Sequence, residues 1–349
     1  MPCTIFGIIS IFPLLHFGMQ YTIIARNFTK RGLLIMSEVF LATLSPMLVM
    51  FACMVIGFIV NKKKLCPDNT VTVLSKLETY VLAPALTMNT FSKYCTVASL
   101  SEQYKMILFC LIALAIAILL AFGLTPFFSS KGYGRNIYRY ALTFGNFGFM
   151  GNAIVPAIFG DEALYSYMLF TLPMNLAVYT WGIASLIPQG EGKHNPLKNL
   201  LNPSVFAVAI GATIGLTGIY DYVPDFVFST LSSLGACMGP IAMVLTGFLI
   251  GNYSFKTLLS DKKVYVAAVL RLFILPALFI LILKTLGADE TTLIMCLFGF
   301  ATPLGLNTVI FPAAYGGDTA TGASMAMISH TLCVITIPIM YLLLTAFIL

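Results

Sequence analysis

The sequence has very few charged residues for its length. Of its 349 residues, 13 are acidic and 19 are basic, and the four charged types together make up 9%, whereas ordinary soluble domains carry about 25%. A soluble chain could not cover its surface with so few charges, so soluble enzymes, nucleic-acid-binding proteins and disordered scaffolds are excluded. The net charge of +6 needs no nucleic acid to explain it, because membrane proteins collect Lys and Arg in their cytoplasmic loops.

Several motifs that carry chemistry are also absent from the sequence. The eight cysteines form no CxxC pair and no cluster with histidine, so we predict neither a disulfide framework nor a zinc site. There is no HExxH, no G-x-S-x-G and no P-loop. An intramembrane aspartyl protease is disfavoured, because Tyr315 stands two residues before Gly317 where that motif has glycine. We therefore predict no cofactor, no metal, no enzymatic activity and no nucleotide-driven pump.

Long apolar runs, in contrast, are abundant. A helix needs about 20 mostly apolar residues to cross the hydrocarbon core of a bilayer. Ten such segments follow Met36 and are joined by short connections, which predicts an all-α membrane protein with ten transmembrane helices. The predicted spans are 39–60, 71–91, 106–126, 138–159, 163–187, 203–219, 226–250, 264–284, 290–313 and 321–347.

Lys and Arg are divided unevenly between two sets of loops. One set contains twelve, Arg271 among them, and the alternating set contains three. The positive-inside rule makes the richer set cytoplasmic and places both ends of the ten-helix core outside the cell (plasma) membrane. The richer set consists of 61–70, 127–139, 188–202 and 251–271, and the other contains Lys93, Lys105 and Lys284.

Residues 1–35 do not fit this topology. Residues 4–24 are apolar enough to span a membrane, but an additional span would invert every later loop. No basic stretch precedes them, as it would in a signal peptide. We expect Met36 to be the native start and 1–35 to be an upstream artefact or a peripheral helix.

Prolines and short motifs recur about 156 residues apart. An offset this constant predicts a duplication, with 36–187 and 203–349 as its halves and 188–202 as a cytoplasmic linker. Each half has five spans, an odd number, so the second half must have inverted topology. Inverted repeats are typical of secondary transporters, whose substrate site lies near the membrane midplane. The matching pairs are Pro46 with Pro203, Pro84 with Pro240, Pro156 with Pro312, and Phe159-Gly160-Asp161 with Tyr315-Gly316-Gly317-Asp318.

The fourth and ninth spans contain helix-breaking residues at matching positions. The sequence FGNFGFMGNAIVP (144–156) holds three glycines, two asparagines and a proline, and ATPLGLNT (301–308) repeats the pattern. Backbone groups freed by proline or glycine must be buried in protein or line a wet cavity. Tight helix packing is the alternative explanation, but paired interruptions favour a binding site in which half-helix N-termini attract an anion. The predicted substrate-binding residues are Asn146, Gly148, Gly151, Asn152, Pro156, Pro303, Gly305 and Asn307.

Few ionisable residues lie within the predicted spans. His330 in the tenth span is a candidate for proton coupling, because imidazole can change its charge near neutral pH; a hydrogen-bonded packing histidine is the alternative. Glu78, early in the second span, is either a second proton carrier or a solvated interface residue. Lys76 is expected to be a snorkelling anchor. Asp161 and Asp318, just beyond the broken spans, are expected to be loop caps.

These residues resemble the auxin efflux carrier family, which includes bacterial malate-type permeases and plant auxin exporters. The resemblance covers roughly 36–349 and is most specific in NFGFMG, FGDEALYSYMLF and PLGLN…FPAAYGGD. It implies two inverted five-helix repeats whose broken fourth and ninth helices cross near the substrate. It also implies an elevator-like movement of a transport domain against a scaffold, and makes a homodimer a candidate assembly. One departure is Ala153, where many members have proline; Asn152 carries over less firmly than Asn146.

The sequence therefore predicts a secondary active transporter for a small organic anion, such as a dicarboxylate or an aromatic or indolic acid. The expected partners are this anion and the lipid bilayer, with no nucleic acid. The alternative is a channel or a solute sensor on the same scaffold. A channel would show rates far above those of a carrier and no counterflow.

Overall fold

The computed structural model describes residues 12–67, 69–129, 132–187, 202–314 and 317–349, with 12–36 and 313–314 as backbone only. Nearly all of the predicted linker 188–202 lies outside the described residues, as do residues 1–11 of the predicted extension. The rest of that extension continues the first membrane helix towards the N-terminus, so this helix begins well before residue 39.

The described chain is predominantly helical and contains no named β-strand. Six of its helices are long and apolar enough to cross a membrane, which makes the protein a multi-pass membrane protein. Three shorter apolar helices, Phe147–Phe159, Pro203–Thr217 and Glu290–Phe300, accompany them. The six long helices are Ser37–Lys62, Lys105–Phe128, Asp161–Leu186, Asp225–Gly251, Lys262–Thr285 and Ala320–Phe347.

The α-helical segments are numbered in chain order, and some of them join end to end. Four π-helical turns connect or begin them, at Glu78–Leu82, Phe147–Gly151, Val178–Gly182 and Leu270–Ile274. The α-helices are α1 (Phe12–Lys62), α2 (Thr70–Leu77), α3 (Ala83–Tyr94), α4 (Val97–Gln103), α5 (Lys105–Phe128), α6 (Tyr133–Thr143), α7 (Asn152–Phe159), α8 (Asp161–Ala177), α9 (Ile183–Leu186), α10 (Pro203–Thr217), α11 (Asp225–Gly251), α12 (Phe255–Leu259), α13 (Lys262–Val269), α14 (Leu275–Thr285), α15 (Glu290–Phe300), α16 (Asn307–Ala314) and α17 (Ala320–Phe347).

Local sequence explains several of the helix boundaries. Asn202 accepts a hydrogen bond from the backbone N–H of Val205, and Pro203 occupies the first position of α10, where its missing N–H costs nothing. The carboxylate of Asp318 caps α17 by accepting from the Ala320 N–H, which confirms its predicted role. Asp161 instead lies in the first turn of α8, where its negative charge is stabilised by the positive end of the helix dipole.

Small residues allow α1, α3, α10 and α11 to pack closely. A Cβ atom at Gly57 of α1 would collide with the Val244 carbonyl of α11, and one at Gly247 of α11 would collide with the Met54 carbonyl. Gly211 of α10 lies similarly close to the backbone of α3. This is the close helix approach that small residues permit in membranes, and it gives these four helices a shared, rigid interface.

Arg271 is not in a cytoplasmic loop, so its assignment to the loop 251–271 is wrong. It lies in the π-helical turn between α13 and α14, and its side chain is fully buried. The seven residues before it are almost all apolar and already helical, because the membrane helix begins at Lys262 and Arg271 lies well inside it. The positive-inside count falls from twelve to eleven against three, so the direction of that rule is unchanged.

Candidate functional site

Two membrane helices are interrupted in the interior of the protein. The first stops at Thr143 and resumes with the π-helical turn at Phe147, and the second stops at Phe300 and resumes at Asn307. Both interruptions coincide with the glycine- and proline-containing segments, because Gly145, Pro303 and Gly305 weaken or exclude continuous helical hydrogen bonding.

The two interruptions lie side by side and cross. Gly145 and Leu304 form an isolated antiparallel bridge, and the backbone N–H of Asn146 donates to the carbonyl of Pro303 at 2.7 Å. A Cβ atom at Gly145 would lie 2.5 Å from Thr302 Oγ1 and 2.8 Å from the Thr302 carbonyl, so only glycine allows this approach. The freed N–H of Leu304 donates to the Ser329 hydroxyl of α17 at 3.0 Å. The crossing thus satisfies backbone groups that lipid could not.

A cavity of about 140 Å³ lies against this crossing. An apolar cavity of comparable size accommodates benzene in another protein, so this space suits a small molecule. The predicted residues that line it are Asn146, Gly148, Asn152 and Asn307, and the other polar residues in its wall are Ser75, Thr79, Thr87, Asn175, Tyr179 and Ser204.

Hydrogen bonds hold both crossing asparagines in place. The amide of Asn146 lies 3.0 Å from His330 Nε2, while His330 Nδ1 lies 2.7 Å from the Ala326 carbonyl. Because a carbonyl can only accept, Nδ1 must carry the ring proton, and Nε2 therefore accepts from the Asn146 amide. The amide of Asn307 donates to the Tyr140 hydroxyl at 2.6 Å. Each asparagine keeps one N–H available for a ligand.

The ends of the two interrupted helices are capped differently. Arg271 Nη1 donates to the carbonyls of Leu142 and Thr143 at the end of α6, both at 3.2 Å. At the end of α15 the donors are hydroxyl groups: Thr302 Oγ1 donates to the Gly299 carbonyl at 3.2 Å, and the Tyr167 hydroxyl lies 3.4 Å from the Phe298 carbonyl. The end of α6 is therefore capped by a buried cation that comes from the turn between α13 and α14, whereas the end of α15 is capped by neutral hydroxyl groups.

A second and larger cavity of about 780 Å³ opens beside the first. Its wall includes Lys93, Asp161 and Pro156, on the side opposite the lysine-rich loops. Asn152 lines both cavities. Next to it, Ala153 packs directly against Gly239 of α11, where no Cβ could fit. Asn152 and Ala153 therefore lie at the boundary between the open cavity and the inner one.

The remaining predicted residues have other positions. Gly151 packs under the Tyr167 hydroxyl and lines neither cavity. Gly305 lies within the second interruption, where its carbonyl accepts from the Thr308 hydroxyl at 2.8 Å. His330 has the geometry expected of a hydrogen-bonded packing histidine, since both of its ring nitrogens bond to protein groups. Lys76 is exposed, as expected for an anchor.

Glu78 is not solvated, so the interface interpretation of this residue is wrong. It is fully buried in the π-helical turn before α3, and neither carboxyl oxygen has a hydrogen-bond partner in the described structure. It lines neither cavity, although Ser75 and Thr79 beside it line the inner one. It is therefore a buried ionisable group close to the site but not part of its wall.

Sequence reasoning missed five residues that build the crossing. Gly145 was quoted within the motif but was not chosen, and Arg271 was counted as a loop residue. Thr302 was likewise quoted within the second motif but not chosen, and Tyr140 and Ser329 were not singled out. The available signal was an arginine within the apolar run of the eighth predicted span. Among the described residues, no group of three or more His, Cys, Asp or Glu could hold a metal ion.

Residues 42–341 match the model of a family described as membrane transport protein. The chain belongs to this family, that of the auxin efflux carriers. Its members are transporters rather than enzymes. A search of curated proteins finds no match. The crossing helices and their cavity therefore belong to a membrane transporter of this family.

Proposed function

We propose that the protein is a secondary active transporter that binds a small organic anion in the inner cavity and moves it across the plasma membrane by an elevator-like, alternating-access mechanism. One observation carries the proposal: two interrupted membrane helices cross and direct two asparagine side chains into one cavity. Interrupted helices at matching positions of two halves mark the substrate site in many secondary transporters.

The chemistry of the cavity suits an anion that must be released again. Phe147–Phe159 and Asn307–Ala314 both begin at its wall, and the first turn of a helix carries the positive end of the helix dipole. The amides of Asn146 and Asn307 add uncharged donors. Neutral donors and dipoles hold a carboxylate without the tight ion pair that would slow its release. A dicarboxylate or an aromatic or indolic acid fits this donor set.

We propose that ten transmembrane helices form two inverted halves, 36–187 and 203–349, joined by the linker 188–202. The two interruptions begin 157 residues apart, after Thr143 and after Phe300, which agrees with the proline offset. With the lysine-rich loops inside, both ends of this core are outside and the 780 Å³ cavity opens to the outside. That cavity is the substrate's route to the inner one, with Asn152 at the boundary. Assembly as a homodimer is part of the same proposal.

Uptake by purified full-length protein in liposomes tests the function. Radiolabelled malate is offered with and without a pH gradient, and unlabelled carboxylates and indole acids are tested for counterflow. Saturable uptake with counterflow is the expected result. Rates far above those of a carrier without counterflow would favour a channel, and binding without uptake would favour a solute sensor.

The Asn146→Ala variant tests the assignment of the site. Loss of one N–H donor to the anion and of the bond to His330 is expected to reduce uptake at least about tenfold, since hydrogen bonds to charged groups contribute about 1.5–3 kcal/mol. Asn61→Ala is the matched control, because Asn61 bonds to Asn252 far from the cavity. Equal uptake by the two variants would remove Asn146 from the site.

A further inference from the structure

Arg271 is an unusual residue for the interior of a membrane protein. Its side chain is fully buried, and two of its nitrogens, Nε and Nη2, have no hydrogen-bond partner in the described structure. None of the described carboxylates forms an ion pair with it. The titratable groups close enough to interact with it are Tyr167, Cys296 and Tyr140, and tyrosine and cysteine side chains are ordinarily neutral near neutral pH. A buried charge without a counter-ion is strongly unfavourable, so something else in the fold must stabilise this guanidinium.

The groups that face Arg271 are the ends of the two interrupted helices. Nη1 binds the last carbonyls of α6. The guanidinium carbon lies 5.4 Å from the ring centre of Phe300, the last residue of α15. Each helix C-terminus carries roughly half a negative charge and each N-terminus roughly half a positive charge. Arg271 therefore bonds directly to one partially negative helix end and packs beside the last residue of the other, while the two N-termini face the cavity.

We infer that Arg271 sets the charge of the helix crossing and thereby makes the inner cavity selective for anions. Without it, the two negative helix ends would offset the two positive ones, and the crossing would be close to neutral. With it, the crossing carries about one net positive charge, which an anion in the cavity balances. Arg271 does not line the cavity, so it is a positioning and selectivity residue that acts through the field. The inference rests on the proposal that this cavity is the substrate site.

A cysteine probe measures this field without a transport assay. The exposed native cysteines Cys66 and Cys237 are changed to serine, and Asn152→Cys places a thiol where the two cavities meet. The full-length protein is then treated with an anionic and a cationic methanethiosulfonate, and the ratio of the two modification rates is recorded. Because both reagents attack the same thiolate, the ratio cancels the ionisation of the thiol and reports the local potential.

Arg271→Met is expected to lower the ratio of anionic to cationic modification at least about tenfold, because one unit charge near the site is removed from a poorly screened interior. Arg271→Lys keeps the charge and is expected to keep the ratio within about threefold. Arg135→Gln is the matched control, since Arg135 bonds to the Ser129 carbonyl near the opposite end of α6 from the crossing. An unchanged ratio in the methionine variant, or equal losses in the methionine and lysine variants, would overturn the inference.

A second pair of variants leaves Arg271 and its hydrogen bonds intact. Thr302 Oγ1 and Arg271 Nη2 both lie within 3 Å of the position that a Cβ atom of Gly145 would occupy, so the two atoms are close to each other. Thr302→Asp therefore cancels the positive charge without removing the cap on α6, and Thr302→Asn is its neutral control. The aspartate variant is expected to lower the ratio as Arg271→Met does, and the asparagine variant to leave it unchanged. If both Thr302 variants shift the ratio equally, local repacking explains the effect and the charge role is wrong.

Transport is measured separately on the same proteins. If the wild-type protein takes up no organic anion but the modification ratio follows the charge at Arg271, the proposed function fails and the electrostatic role stands. If uptake occurs but the modification ratio does not change with the charge at position 271, the proposed function stands and the inference about Arg271 fails.

Discussion

The pair formed by Asn146 and His330 shows how one residue can serve structure and binding together. The Asn146 amide has two N–H groups, and His330 occupies one of them. The histidine is itself oriented by the Ala326 carbonyl one turn earlier in α17. This arrangement fixes the amide so that its second N–H can be directed into the cavity, which lowers the entropic cost of binding.

Substitution of His330 tests this arrangement. His330→Leu leaves a buried amide N–H without an acceptor and is expected to cost about 1–3 kcal/mol of stability, together with a loss of uptake. His330→Gln offers a carbonyl oxygen to the same N–H and is expected to restore most of both. Thermal unfolding in detergent and uptake in liposomes provide the measurements. Loss of pH-gradient stimulation alone, with stability intact, would instead favour proton coupling at His330.

Glu78 provides a separate test of proton coupling. Its carboxyl group is buried without a partner, and the neutral amide of Glu78→Gln has nearly the same shape. We expect this variant to fold with equal or greater thermal stability but to lose the stimulation of uptake by a pH gradient. Lys76→Gln, on the exposed face of the same helix, is the control. Stimulation that survives in Glu78→Gln would remove Glu78 from the coupling mechanism.

At the scale of secondary structure, the interrupted helices depend on where their glycines lie. Gly145 is at the point of closest approach, where a Cβ would be 2.7 Å from Arg271 Nη2 and would also collide with Thr302. Gly148, one turn later, faces open space in the cavity. Two glycines of one motif therefore have different roles, one in packing and one in shaping the site.

Alanine at these two positions should separate the roles. Gly145→Ala forces the two crossing backbone segments apart and is expected to destabilise the protein by about 1–3 kcal/mol, the usual cost of overpacking. Gly148→Ala adds a methyl group to the cavity and is expected to leave the unfolding temperature nearly unchanged while raising the KM for uptake. Thermal unfolding and uptake kinetics distinguish them. Equal destabilisation by both variants would contradict the distinction.

At the scale of the whole molecule, α7 meets α11 at one very close contact. Ala153 of α7 packs against Gly239, and α11 is tied to α1 through Gly57 and Gly247. The contact lies beside the boundary between the two cavities. If α7 carries the substrate past the group of α1, α3, α10 and α11, as an elevator-like mechanism requires, this contact must break in each transport cycle.

A disulfide between positions 153 and 239 tests that movement. In Ala153→Cys/Gly239→Cys the two Cα atoms are close enough for a bridge after a small shift, since disulfides tolerate a limited range of Cβ distances. Oxidation is expected to abolish the uptake that the reduced double variant retains, and reduction to restore it. The Gly239→Cys single variant, in which the added Cβ displaces Ala153 but no bridge can form, is the control for that displacement, and its uptake is expected not to respond to oxidation. Malate binding to the oxidised protein would show that the site is still formed. Full uptake by the cross-linked protein would contradict the elevator-like movement.

The sequence by itself determined the class of protein and the location of the interruptions. Exposure of long apolar runs to water is unfavourable, and only a membrane or a large protein core can bury them. Composition therefore identifies a multi-pass membrane protein. Proline and glycine act on the backbone of their own helix, so the segments 144–156 and 301–308, which contain the breaks, could be located without any tertiary information.

Only the tertiary structure decided which side chains meet at these breaks. The pairing of Asn146 with His330 joins residues 184 positions apart, and Arg271 reaches α6 from another helix 128 residues away. The charge of Arg271 led to its prediction as a loop residue, because a single sequence does not reveal the two helix ends that stabilise a cation in the interior. Burial of Glu78 likewise depends on helices packed around it. Such contacts arise from the three-dimensional arrangement of helices, which the pattern along one helix does not determine.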